Sequence, residues 1–252
     1  GIATYLMEEF GLHTVVKMNP TLLGRERVEA LLRDTLGYDS IRVPESAFAH
    51  DTKWDESIEL ARRLESTAER LDVGLGFKFT NTLVVENDEG PFAKTEKTRY
   101  LSGAPLHVLS LTVADEWRRA ANWQGGLSFS AGIDKHNAPD AVACGFVPVT
   151  TCTDLLKLGG YGRLPEYLAA WAERMTHCDA RNRNEFILRA EGKAAEAARL
   201  TADEYIVESL RETIELPPPL ADVAFPSDDE VWNSPAGLKR LDALLDPATR
   251  ER

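Results

Sequence analysis

Cysteine is scarce in this chain: three in 252 residues, at positions 144, 152 and 178, with no C-x-x-C pair. That spacing argues against a disulfide framework, a zinc site or an iron–sulfur cluster built from the chain's own thiols. The histidines at 13, 50, 107, 136 and 177 show no metal-ligand spacing either. Reduced thiols of a cytoplasmic protein are the expectation. Positive charge is also short, with 29 Lys and Arg against 41 Asp and Glu and a net charge of −12. The deficit weighs against nucleic acid or an anionic membrane surface as a partner. No apolar run approaches the roughly 20 residues that span a bilayer. No signal peptide is recognisable, and the first residue is Gly1 rather than Met. Residues 1–10 read as the middle of an amphipathic helix, so the chain is expected to be part of a longer protein.

What is present is enough for a packed core: 43% of the residues are hydrophobic. Helical and strand patterns alternate, which favours a parallel α/β architecture. Strands are expected at 13–18 and 39–43, closed by Pro20 and Pro44. A long β-prone run covers 73–85, and two short strands follow near 127 and 146. Helices are expected at 25–36, 55–71, 105–121 and 164–175. The helix at 55–71 is marked by apolar Ile58, Leu60, Ala61, Leu64, Ala68 and Leu71 opposite a charged face. The polar stretch 86–99 reads as a loop or hairpin reaching over a site. Beyond residue 176 the composition shifts. An Ala/Glu/Arg-rich helical segment over 190–216 ends at Pro217, Pro218 and Pro219. A Pro-containing acidic, linker-like tail follows, with a short helix near 238–245. No repeat of 20–50 residues is visible beyond the βα unit itself.

Two stretches carry the chemical signal. Leu127-Ser-Phe-Ser-Ala-Gly-Ile-Asp134 and Gly145-Phe-Val-Pro-Val-Thr-Thr-Cys-Thr153 each read as an apolar strand ending in small and hydroxyl residues. Two consecutive strands that end so are how the last βα units of a TIM barrel hold a phosphate. Strand-tip and helix-start N–H groups face the anion, and glycine lets it approach. A phosphate-bearing cofactor or substrate is therefore expected, held at Ala131, Gly132, Thr150 and Thr151.

Five segments, in order, carry a family resemblance. Val15-Val-Lys-Met-Asn-Pro20 looks like the V-K-L-x-P strand of dihydroorotate dehydrogenases. Phe79-Thr-Asn-Thr-Leu83 looks like the T-N-T strand end of dihydropyrimidine dehydrogenases. Tyr100-Leu-Ser-Gly-Ala-Pro-Leu106 resembles their S-G-x-A segment, Ser130-Ala-Gly-Ile-Asp134 their G-G-I-D loop, and Val149-Thr-Thr-Cys152 their second phosphate turn. Lys17-Met-Asn-Pro-Thr-Leu-Leu-Gly24 and Thr153-Asp-Leu-Leu-Lys-Leu-Gly-Gly-Tyr161 narrow the resemblance to the FMN-binding barrel of the bacterial selenate reductase flavoprotein subunits. Those are related to dihydropyrimidine dehydrogenase and to the small subunit of glutamate synthase.

The resemblance covers residues 1–175 and implies the C-terminal portion of a TIM (β/α)8 barrel, with 176–252 as a tail. Five strands are counted, so three or four are expected upstream, with the family's proton-donating Cys or Ser. Ala131 stands where the family has glycine. The implied activity is a flavin-dependent oxidoreductase acting on a pyrimidine-like ring or an oxyanion. FMN is the implied cofactor of this segment; FAD, NADPH and iron–sulfur clusters would sit on other segments of a larger redox protein. Lys17 or Lys78 would face the flavin, Asn81 would contact flavin or substrate, and Ser102 and Gly103 would face the phosphate. The residues alone leave two other readings open. One is a phosphate-binding lyase using Lys17 or Lys78 as a Schiff-base amine. The other is a catalytically silent interaction segment.

Overall fold

A computed structural model of the chain describes residues 1–87, 95–190 and 192. Its centre is a sheet of four parallel strands: β1 (Thr14–Met18), β2 (Leu75–Phe79), β5 (Gly126–Phe129) and β6 (Phe146–Val149), adjacent in that order. Between β2 and β5 the chain makes an antiparallel hairpin of β3 (Leu83–Glu86) and β4 (Thr98–Leu101). Parallel neighbours need crossovers, and helices supply them. These are α2 (Arg25–Ala30), α3 (Glu45–Ala49), α4 (Trp54–Leu71), α5 (Ala104–Ala121) and α6 (Ala138–Ala143). α1 (Ile2–Phe10) precedes β1; α7 (Leu164–His177) and α8 (Arg183–Ala190) follow β6.

Register decides what each face of the sheet carries. Val16, Phe77 and Leu127 form one row, and Met18, Phe79 and Phe129 the next. These rows meet the helices, and Phe77, Phe79 and Phe129 are essentially inaccessible. The alternate positions form the opposite face. There Val15, Gly76 and Gly126 are partners, followed toward the strand ends by Lys17, Lys78 and Ser128. Val15 is 57% exposed, whereas Gly76 and Ser128 on the same face are buried.

The helical layer is written in the periodicity. α4 buries Ile58, Ala61, Leu64 and Ala68, and its first turn carries Asp55 and Glu56, which suit the positive end of the helix dipole. Glu56 also accepts from the Lys53 N–H at 3.0 Å. α5 buries Leu106, Leu109, Val113 and Trp117 against the sheet. Trp117 touches Phe77, Phe79 and Trp123, so Trp117 and Trp123 are core residues.

Three expectations are corrected. Residues 39–43 form no strand. Val43 packs in the core, and the Arg42 carbonyl accepts one bond from the Glu86 N–H at 2.8 Å, but β1 pairs directly with β2. An apolar run closed by proline looks like a strand until the neighbouring edge is taken. The β-prone run 73–85 is two strands, because β2 ends at the sheet rim and the chain turns at Thr80, Asn81 and Thr82 into the hairpin. The helix expected at 25–36 becomes a wider π turn over Leu31–Thr35. The central sheet thus has four strands, one fewer than counted from sequence.

α8 falls after residue 176, yet Phe186 and Leu188 are fully buried beside Val142 and Ala143 of α6. The expected helices at 190–216 and 238–245, and the tip of the hairpin at 88–94, lie outside the described residues.

Candidate functional site

All four parallel strands end at one rim. The ladder continues past them: Asn81 N–H donates to Met18 O (2.7 Å), Ser130 N–H to Phe79 O (2.7 Å), and Thr150 N–H to Phe129 O (2.9 Å). Asn81, Ser130 and Thr150 are therefore held in register at the C-terminal edge, where the residues of an α/β sheet meet ligands. Sequence alone left Lys17 pointing inward or outward. The register puts Lys17 and Lys78 side by side, one residue below the rim, on the face opposite the helices. Lys17 is exposed and Lys78 half-buried. Burial, and then the like charge of Lys17, hold the Lys78 ammonium below the usual lysine range.

The rim has two ends. At the β1–β2 end, Asn81 Nδ2 donates to Asn19 Oδ1 (2.7 Å) and Asn19 Nδ2 donates to Asp51 Oδ1 (2.9 Å). Thr21 Oγ1 donates to the other Asp51 oxygen. These residues line a cavity of about 340 Å³ with His50 and Tyr100, the latter from the hairpin and 74% exposed. Asp51 and Asn19 carried no signal in the sequence. Asn19 reads as a strand stop before Pro20, and Asp51 as a loop residue.

At the β5–β6 end two loops touch. Gly132 has φ +57°, and a Cβ there would lie 2.6 Å from the Gly103 carbonyl oxygen. Gly103 has φ +77° and opens α5, packed on Thr153. The structure therefore brings Ser102, Gly103, Ala131 and Gly132 together. Ala131 is buried, and its carbonyl lies 2.7 Å from His107 Nδ1. Thr151 is nearby, but its hydroxyl is engaged with Ile133 O (2.9 Å) and Tyr167 Oη (3.2 Å). Behind it Asp154 is buried and takes Arg163 through two nitrogens at 3.0 Å each, with Lys157 at 2.9 Å and Tyr167 at 2.8 Å. His107, Tyr167 and Asp154 were not foreseen, since their partners are distant in sequence.

Gly132→Ala is expected to cost about 2–3 kcal/mol, from positive-φ strain plus the clash with the Gly103 backbone. Urea unfolding of the two chains checks it.

The rim thus carries two lysines, a carboxamide pair and two glycine-containing loops in contact with each other. Among the described residues no group of three or more His, Cys, Asp or Glu side chains is placed to hold a metal ion. No helix among them is long and apolar enough to cross a membrane.

Residues 1–204 match the family model described as oxidoreductase YgfK, N-terminal TIM-barrel domain. The chain belongs to this YgfK barrel family. Two curated relatives, both named "Putative oxidoreductase YgfK", come from Escherichia coli K12 and O157:H7. Each is 41% identical over 163 residues, which is 65% of this chain and 16% of the relative's length. No solved structure matches significantly. The family assigns the four parallel strands and their outer helices to a TIM-type α/β barrel, although the sheet is not closed among the described residues.

Proposed function

We propose that this chain is the FMN-holding part of an oxidoreductase barrel in a larger redox protein. The observation that carries the reading is the pairing of Lys17 with Lys78 just below the rim that holds Asn81. The residues present fit the group. The Gly132 loop packs directly on Gly103, which opens α5, an 18-residue helix whose start lies at this end of the rim. Ser102, Ala131 and Thr150 border the same end. Thr151 would contribute through its backbone, its hydroxyl being engaged. Bound FMN would supply the hydride and electron chemistry.

The chain's residues do the rest. Lys17 and Lys78 place positive charge where a ring would gain electron density, in a chain whose net charge is −12. Asn81 offers donors and an acceptor to a ring edge. The small-molecule substrate would enter the Asn81 cavity. By resemblance, NADPH, FAD and iron–sulfur clusters would belong to other segments.

Titration of FMN into the 252-residue chain, read by the flavin's visible absorbance, tests this. A bound-flavin spectrum is expected. Lys78→Met is expected to weaken binding about tenfold or more, the worth of one hydrogen bond to a charged group. Because the Lys78 pKa is lowered, its charge is lost at a lower pH than for an ordinary lysine (about 10.4). Affinity should therefore fall with rising pH, with a midpoint below that value, and Lys78→Met should lack the step. An unchanged FMN spectrum in the folded chain overturns the reading.

The lowered Lys78 pKa also favours a second reading, a Schiff-base lyase, because a less basic amine is more often free to attack a carbonyl. Borohydride trapping of an aldehyde on Lys78, without flavin binding, would select it.

A further inference from the structure

We propose that Asp51 is a positioning residue that sets, through Asn19, which face of the Asn81 carboxamide meets a molecule in the mouth cavity. The inference rests on the reading that this mouth receives the reactant. Its basis is the direction of a hydrogen-bond chain.

A carboxylate only accepts hydrogen bonds. Asp51 therefore fixes the Asn19 amide with Nδ2 toward itself, at 2.9 Å. Asn19 must then turn its Oδ1 toward Asn81, and that oxygen receives Asn81 Nδ2 at 2.7 Å. Thr21, 8% exposed, closes the far side by donating to the second Asp51 oxygen, so the anchor cannot turn without losing a bond. Asn81 itself is held by its backbone N–H on Met18 O. With one Nδ2 proton used, Asn81, which lines the cavity, is left with its carbonyl oxygen and its second Nδ2 proton.

The consequence is specificity. The Asn81 oxygen can then accept from a ligand N–H or O–H, in an orientation that Asn19 fixes. The Asp51 charge beside it disfavours an anion at this end of the rim. This end of the rim thus favours a neutral group that can donate to the Asn81 oxygen, while negative charge belongs at the lysines.

The test uses the 252-residue chain with 15N-labelled asparagine side chains, comparing wild type, Asp51→Asn and Thr21→Val. Asp51→Asn keeps the shape and removes the acceptor-only anchor. It is expected to shift the side-chain amide signals of both Asn19 and Asn81 and leave the remote Asn122 unmoved. Thr21→Val keeps the anchor and should move them little. Succinimide and N-methylsuccinimide, which differ in one N–H, are the probes. Wild type is expected to bind succinimide about tenfold more tightly, and Asp51→Asn to lose that preference. An Asn81 signal unmoved in Asp51→Asn overturns the proposal. So does equal or absent response to the two probes in wild type. FMN titration of the same samples separates the two ideas. A relay that behaves as stated in a chain indifferent to FMN refutes the flavin reading alone.

Discussion

Trp117→Ala is expected to destabilise the chain by about 4 kcal/mol, the range for deleting a buried tryptophan from a close-packed core. Trp117 is fully buried on α5, with its ring centroid 4.7 Å from Phe77 and 5.7 Å from Phe79. Its Nε1 donates to Ser57 Oγ on α4 at 3.0 Å, and Ser57 in turn donates to Trp54 O at 2.6 Å. One side chain therefore ties two crossover helices to β2, the strand that carries Lys78 and leads to Asn81. Trp117→Phe keeps most of the packing and loses the bond to Ser57, so about 1–2 kcal/mol is expected. Urea unfolding midpoints at constant m-value check both. A Phe variant as unstable as the Ala variant would make the hydrogen bond, not the ring packing, the dominant contribution.

The second large effect lies behind the Thr151 loop. Asp154→Asn is expected to cost about 2–3 kcal/mol at pH 7. That is less than a fully enclosed ion pair would lose, because Arg163 and Lys157 stay partly in solvent. Arg163, then Lys157, and also Tyr167 hold the Asp154 carboxyl well below the usual carboxylate range. The sign follows. A carboxyl depressed in the folded state stabilises it at pH values above its unfolded pKa of about 3.9, and that stabilisation is lost progressively as pH falls below it. The gap between wild type and Asp154→Asn should be constant near neutrality and shrink below about pH 4. Thermal unfolding of both chains between pH 3 and pH 7 measures it. A gap that widens in acid would rule out this account. Tyr167 shares the network, and burial pushes its phenol up, so it remains a neutral donor to Asp154.

The positions of α4, α5 and α7 and of β1, β5 and β6 were legible in the sequence alone. The reason is local: period 3.6 in α4 and α5 and short apolar runs in β1, β5 and β6 each constrain a few consecutive residues. The loops at Ser102–Gly103 and Ala131–Gly132 were legible too, since glycine before or within a turn leaves a mark. Only the tertiary structure decided three things. It denied residues 39–43 a strand, because β2 takes the edge of β1 that such a strand would need. It placed Lys17 beside Lys78, because a one-residue change in parallel register would send one of them to the helical face. And it joined Asp51 and Asn19 to Asn81, residues up to 62 positions apart whose hydrogen bonds leave no periodic trace in the chain. Short-range preference writes the elements; register and long-range hydrogen bonds, which depend on what lies next door in space, write the site.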